Sequence, residues 1–324
     1  MNSTNKEDIK KQIQNLSTWL WGHQVLSVDV NLWLKNFAIE DEEKEELVAL
    51  TLLSEFMFFE QKEIRQMLKS LYKDKFIAPL VTKYREQTGS YSLKDYEDFI
   101  KEQLSKTRFS NVGNPSESSS MLLYYFRQRN NLDTELFVNS CQLLTHNEKN
   151  MAVEHLIYLD DLSGSGSQAI KNLKIVIHDI RRKIKGIKIS YFMLFATSQA
   201  LKNLNDSNIF DNVETVFELD ETYKIFSDTS RYFGKHEEIK KYFQELCRKH
   251  YKPKWELGEE DISKNLDQTL NNEECGFSDT QLGLGFFYNM PNNTLPIFWA
   301  DSDNWKSIFK RYSKQYAILK KVKK

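Results

Sequence analysis

The chain has 324 residues, with 45 Lys and Arg against 46 Asp and Glu and a pI near 6.6. It is long enough for one large or two medium domains, and its balanced charge excludes the global basic signature of a nucleic-acid binder. Three scattered cysteines, Cys141, Cys247 and Cys275, exclude a disulfide framework and a CxxC-type zinc site and point to a reducing compartment. The polar start (Asn2, Ser3, Asn5, Lys6, Asp8) and the lack of any membrane-length apolar run lead us to expect a cytoplasmic protein without membrane contact.

In chain order, residues 1–106 hold only two glycines, Gly22 and Gly89, and read as helices throughout. Ile9, Ile13, Leu16 and Leu20 share one helical face, as do Ile64, Met67, Leu68 and Leu71. Residues 47–59 are apolar on most sides and predict a single buried helix. Ser92 with Asp95 forms an N-cap pair that opens a helix carrying Leu93, Tyr96, Phe99, Ile100 and Leu104. No repeat of fixed period occurs there.

Residues 111–120, Asn-Val-Gly-Asn-Pro-Ser-Glu-Ser-Ser-Ser, form the most turn-rich stretch of the chain. Two readings stand side by side. One is a linker; the other is an anion loop, with Ser116, Ser118, Ser119 and Ser120 at the start of a helix over 121–129 whose N-terminus offers free N–H groups. Arg127 and Arg129 lie at the far end of that helix.

The densest chemistry follows. Residues 155–168, His-Leu-Ile-Tyr-Leu-Asp-Asp-Leu-Ser-Gly-Ser-Gly-Ser-Gln, read as a buried strand that delivers Asp160 and Asp161 to its carboxyl end and runs into a small-residue loop. Such a loop bares backbone N–H groups that can hold a phosphate, and its glycines permit positive φ and close backbone approach. A plain turn is the competing reading, since Asp and Ser favour turns. Beyond it, Ile170, Leu173, Ile177, Ile180 and Ile184 have helical spacing and residues 187–195 read as a second strand, the context in which ligands sit at strand carboxyl ends.

These residues resemble the signature of the type I phosphoribosyltransferases: four apolar residues, two acids, two variable residues, then a phosphate loop before a helix. The resemblance implies an α/β fold, a Rossmann-like type I phosphoribosyltransferase core over 107–324 behind an α-helical N-terminal region over 1–106. It implies that Asp160 and Asp161 are catalytic and meet the ribose hydroxyls of phosphoribosyl pyrophosphate. Ser163, Gly164, Ser165, Gly166, Ser167 and Gln168 would hold its 5-phosphate, and Ser116, Ser118 and Ser119 its pyrophosphate. Mg²⁺ would come mainly on the ligand's pyrophosphate, with no dedicated protein metal site. Two departures stand out. Gly164 occupies the position of the general-base Asp found in purine-type members, and Gln168 replaces the Thr that closes the loop.

Further on, residues 213–219 read as a strand followed by Asp220 and Glu221, which together with Glu218 either approach the same site or line a solvated turn. Residues 282–288, then Asn289, Met290, Pro291, Asn292, Asn293, Thr294, Leu295 and Pro296, predict strand, structured loop, strand. Asn289, Asn292 and Asn293 are base-recognition candidates, while Phe298 and Trp299 read more readily as core than as a base-stacking platform. His155 and His178 read as structural histidines; His146, His236 and His250 have no spaced partner. From Lys306 a basic and aromatic tail (Lys310, Arg311, Lys314, Lys320, Lys321, Lys323, Lys324) predicts a terminal helix, either solvated or set against a nucleic acid or a partner.

The order of the three patches, residues 113–118, Asp160-Asp161 with its Gly-Ser loop, and residues 291–296, is similar to the conflict-system-associated phosphoribosyltransferase-like proteins. That likeness implies a role in bacterial anti-phage defence, including retron systems, beside partners such as a reverse transcriptase and a DNA-binding protein. The chain would act there as an effector on nucleotide glycosidic bonds, or as a nucleotide-sensing or scaffolding subunit.

Overall fold

The computed structural model describes residues 6–113, 118–145, 152–234, 236–250, 275–301 and 305–312. They divide into two compact units, one built from both chain ends, up to Glu60 and from Glu221 onward, the other from residues 61–220. Residue 106 lies inside the second unit, where residues 61–77 pack on the sheet that follows and on the helix Ser118–Asn130.

The first sixty residues supply helices α1 (Lys6–Trp19), α2 (Ser27–Leu34) and α3 (Glu42–Ser54) and the short strand β1 (Met57–Phe59). α1 buries Ile9 and Ile13, as its spacing predicts, while Leu20 beyond its end is exposed. α3 buries Val48, Ala49, Leu50, Leu52 and Leu53, but it stops at Ser54 and does not run to Phe59. Met57–Phe59 takes an extended path, a conformation that suits aromatic residues with a strand partner.

In the second unit, α4 (Gln61–Ser70) buries Ile64 and Leu68 and passes through a π-helical turn, Leu71–Ile77, into α5 (Ala78–Thr88). α6 (Leu93–Ser105) starts as predicted, with Ser92 Oγ accepting from the Asp95 N–H at 3.3 Å. Then come β2 (Thr107–Asn111), α7 (Ser118–Asn130), β3 (His155–Ser163), α8 (Ser167–Lys183), β4 (Lys188–Thr197), α9 (Ser198–Asp206) and β5 (Asn212–Leu219). The strands form one parallel sheet in the order β2-β3-β4-β5. β4 is a near-continuous apolar run because helices cover both faces of the sheet. This is the Rossmann-like α/β core that the motif implied.

Register shows which helix lies where. Phe109 is level with Ile157, so both point to one face, where Phe109 meets Phe126 of α7 (5.1 Å) and Phe76 (5.9 Å). Tyr158 is level with Tyr191 and points to the other face. There Leu156, Tyr158, Tyr191 and Met193 cluster with Leu173, Ile177 and Ile180 of α8 and with Leu204 of α9. After α7 the chain returns along the outer edge of β2, where Phe137 makes a parallel bridge to Phe109. The path therefore winds one way from β2 and the opposite way from β3. The adjacent carboxyl ends of β2 and β3 are a topological switch point, where open α/β sheets form their ligand crevice.

From Glu221 the chain rejoins the first unit, adding α10 (Glu237–His250) and β6 (Leu284–Phe286). β6 pairs in parallel with β1, Phe58 level with Gly285. Trp33, Phe37, Phe243 and Phe298 are fully buried there, and Trp33 Nε1 donates to the Ile297 carbonyl at 2.8 Å. The second strand expected after 291–296 does not form, since Pro296–Phe298 is a 3₁₀ turn. Nor is there a helix over 305–312. The adjacent Ile308 and Phe309 are both buried, and both their N–H groups donate to the Phe298 carbonyl at 3.0 and 2.9 Å. The tail's Lys314, Lys320, Lys321, Lys323 and Lys324 lie outside the described residues. No helix among the described residues is long and apolar enough to cross a membrane.

Candidate functional site

At the switch point β2 ends at Asn111, level with Leu159, while β3 continues to Ser163. Asp160 and Asp161 therefore stand beyond the end of β2, half-buried, with β4 on their other side. Asp160 lies on the α8 face. Its Oδ2 accepts from the Tyr191 hydroxyl at 2.7 Å and its Oδ1 from the Asp161 N–H at 3.0 Å. Asp161 Oδ1 accepts from the Leu162 N–H at 2.8 Å. Burial, then the neighbouring Asp161 charge, pushes the Asp160 carboxyl well above the usual carboxylate range, and the bonds from Tyr191 and the Asp161 amide offset only part of this. Burial and the nearby Asp160 likewise push the Tyr191 phenol up.

The loop after the acids is braced from Thr197, the last residue of β4 and N-cap of α9, and from α9 itself. Thr197 Oγ1 donates to the Gly164 carbonyl at 2.6 Å, and Asn203 Nδ2 donates to the Ser165 carbonyl at 2.9 Å. In a trans peptide the N–H points opposite to the carbonyl. Holding those two carbonyls against α9 therefore turns the Ser165 and Gly166 N–H groups away from it. Among the described residues none accepts from the backbone N–H of Gly164, Ser165 or Gly166. Gly166, with φ +75° and ψ −15°, is the N-cap of α8 and supplies no capping side chain; within the first turn the Ser167 N–H donates to Ser165 Oγ at 3.4 Å. A Cβ on Gly166 would lie 2.9 Å from Leu204 Cγ. Ser165 Oγ and Ser167 Oγ are 2.7 Å apart, while Ser167 and Gln168 are exposed at the helix start. The loop thus presents backbone N–H groups at a helix N-terminus, the form of an anion nest, with a carboxyl pair beside it.

The β2–α7 turn opens at the same sheet edge. Ser119 is buried, donating to the Val112 carbonyl at 2.7 Å and accepting from Asn111 Nδ2 at 3.3 Å, and Ser120 Oγ accepts from the same amide at 3.1 Å. Those hydroxyls close the turn. Ser118 is half-buried at the first position of α7, and Ser116 lies outside the described residues. At the end of β5, Glu218 Oε1 accepts from Ser198 Oγ at 2.6 Å, an ordinary strand-to-helix contact.

A nest and an acid pair at a switch point are what a phosphoribosyltransferase core offers its ligand, and comparison with known families agrees: the PRTase-CE family model matches residues 30–311. The chain belongs to the PRTase-CE family. It is a phosphoribosyltransferase-like protein. No curated protein and no solved structure matches it.

The base-recognition candidates of this PRTase-CE protein belong to the other unit. Asn293 is buried, its Nδ2 donating to Thr280 Oγ1 at 3.2 Å and reaching the Phe277 carbonyl at 3.5 Å. Asn289 Oδ1 accepts from the Tyr312 N–H at 3.1 Å, and the half-buried Asn292 offers its carbonyl to the Phe277 N–H at 2.7 Å. These contacts shape the loop around 275–295. Phe298 and Trp299 are core, with Trp299 Nε1 donating to the Thr294 carbonyl at 2.9 Å. His155 Nε2 is 2.8 Å from Ser190 Oγ, and burial pushes its pKa down to about 4, so it is a neutral structural group at physiological pH. His178 is exposed on α8, 3.6 Å from Asp179 Oδ1. His146 lies outside the described residues. Among the described residues no group of three or more His, Cys, Asp or Glu could hold a metal ion. Sequence reasoning missed Tyr191, Thr197 and Asn203. The only local signal was Thr197-Ser198 at a strand end, which has the form of an N-cap.

Proposed function

We propose that the chain binds phosphoribosyl pyrophosphate, or a nucleotide through its 5′-phosphate, at the carboxyl ends of β2 and β3. The observation that carries this reading is the loop whose Gly164 and Ser165 carbonyls are tied back to α9 while its N–H groups are left for an anion, directly after the acid pair. Ser163 through Gln168 receive the 5-phosphate, and Asp160 and Asp161 meet the ribose hydroxyls. Ser118 at the start of α7 faces the same edge and suits the pyrophosphate. Mg²⁺ arrives on the pyrophosphate oxygens, in keeping with a site that has only two carboxyl groups to offer it. In turnover the same acids would offset the positive charge that develops at the anomeric carbon.

A second reading, ligand sensing without turnover, is favoured by two observations. Gly164 puts no side chain where a general base would stand, and Asp160 is committed to Tyr191. Either form suits a cytoplasmic effector or sensor of bacterial anti-phage defence, working beside a reverse transcriptase or a DNA-binding protein. A basic tail from Lys310 onward would be available to nucleic acid. The test is calorimetric titration with phosphoribosyl pyrophosphate and Mg²⁺. The wild type should bind and Asp160→Asn/Asp161→Asn should not; equal binding by both proteins would sink the assignment.

A further inference from the structure

The unit formed by the two chain ends holds a cavity of its own, 400 Å³ in volume, lined by residues of α2, β1, β6 and the 306–312 segment. Six of its fifteen lining residues carry rings; Phe58, Phe286 and Phe309 are buried, and the half-buried Phe287 and Tyr288 with the exposed Tyr312 present the open aromatic surface. Phe286 and Tyr288 are stacked, centroids 5.3 Å apart, and Tyr312 at the rim is 51% exposed. Lys306 and Lys310 also line it, with Lys310 Nζ 4.9 Å from the Tyr312 ring centroid. Two acids, Asp29 and Asp301, and the uncharged Gln24 and Ser307 complete the polar lining.

The segment that carries the lysines is held in place. Asn36 pairs with both the N–H and the carbonyl of Lys306 (3.0 and 2.8 Å), Ile308 and Phe309 donate to Phe298, and the Tyr312 N–H donates to Asn289. Its cations and rings therefore project from a fixed backbone, which lowers the ordering cost of binding. Aromatic walls select a flat ring, lysines at the opening select an anion, and the two acids disfavour a highly charged chain of phosphates. The volume lies at the small end of ligand sites, roughly 300–1,000 Å³.

We propose that this cavity is a binding site for a nucleoside 5′-monophosphate, with the base against Phe287, Tyr288 and Tyr312 and the phosphate at Lys306 and Lys310. None of its residues belongs to the acid pair or to the phosphate loop. It is a second nucleotide site, independent of the one assigned above.

The test titrates the full chain calorimetrically with adenosine and guanosine 5′-monophosphates, and with ribose 5-phosphate as a control that lacks the base. The Asp160→Asn/Asp161→Asn protein should still bind at least one of the two nucleotides saturably, and should bind ribose 5-phosphate at least about tenfold more weakly. Adding Lys306→Glu/Lys310→Glu should weaken nucleotide binding by about tenfold or more. Both lysines are exposed, so the fold should survive; Tyr312→Ala, at the exposed rim, gives a second variant that should also weaken binding. The proposal is overturned if the acid-pair variant binds neither nucleotide, or if the lysine and Tyr312 substitutions leave its affinity unchanged. Failure of the loop assignment has a separate signature: phosphoribosyl pyrophosphate binding that survives loss of the acids, whatever the lysine variant does.

Discussion

Replacing Gly166 by alanine tests the phosphate loop through a pair of glycines that differ in one respect. Gly166 and Gly186 have nearly the same backbone, φ +75° and +78°. Left-handed φ costs a residue with a Cβ about 1–2 kcal/mol, and alanine returns about 0.4–1 kcal/mol by restricting the unfolded chain, at both sites alike. A Cβ at Gly186 meets nothing within 4 Å, whereas one at Gly166 comes within 2.9 Å of Leu204 Cγ and 3.3 Å of the Ala200 carbonyl oxygen. Relieving that contact means shifting the loop or α9, at the usual cost of overpacking, about 1–3 kcal/mol. Gly186→Ala should therefore cost about 1 kcal/mol or less, and Gly166→Ala about 1–3 kcal/mol more. Urea unfolding followed by circular dichroism gives the difference. A parallel titration with phosphoribosyl pyrophosphate should show binding weakened in Gly166→Ala and kept in Gly186→Ala. Equal stability losses at the two glycines would refute the packing argument, and equal binding would refute the loop's role.

Two pH-linked predictions accompany it. The Asp160 carboxyl is raised in the folded state, so the fold binds that proton more tightly than the unfolded chain does. Its contribution to stability is greatest below the unfolded value, about pH 3.9, and declines as pH rises through the raised value. Asp160→Asn, whose amide oxygen can still accept from Tyr191, should therefore be more stable than wild type in urea at pH 7, with the gain vanishing near pH 4; no gain at pH 7 would remove the burial argument. His155 runs the other way. Its pKa is depressed to about 4 from an ordinary value of about 6.5, so stability present above pH 6.5 is lost as pH falls toward 4, by up to about 3 kcal/mol. His155→Gln should flatten that part of the urea-stability profile, and an unchanged slope would assign it to other groups.

The core of the site was legible because its signals are local. The helix expected over 168–184 is Ser167–Lys183, and the strand expected over 187–195 is Lys188–Thr197. Helical spacing on one side and an unbroken apolar run on the other left little ambiguity. The braces of the loop were not legible. Thr197 and Asn203 lie more than thirty residues from the carbonyls they hold, and Tyr191 is thirty-one from Asp160. Nothing in the spacing of such residues forecasts a tertiary contact. The two chain ends failed for a related reason. Met57–Phe59 and Leu284–Phe286 are three residues each, too short for periodicity to separate strand from helix, and they become strands only by pairing with one another.

The raised Asp160 bears on turnover as well as on stability. A carboxyl group that keeps its proton can donate to a ribose hydroxyl, but it gives no electrostatic support to a cationic anomeric carbon. Ionised, it accepts from the ribose hydroxyl instead and supports the cation as well. A ligand that brings Mg²⁺ to the crevice adds positive charge near the pair, and positive charge favours the carboxylate. Binding of phosphoribosyl pyrophosphate with Mg²⁺ at neutral pH should therefore release part of a proton from the acid pair. Calorimetry in buffers of different ionisation enthalpy reads this directly, as a slope of observed enthalpy against buffer enthalpy. The wild type should show release above that of the ligand's own phosphates, and Asp160→Asn should show only the ligand's share. A wild-type slope no larger than that of Asp160→Asn would mean that Asp160 keeps one protonation state throughout, and the site would then be better suited to holding a ligand than to breaking its glycosidic bond.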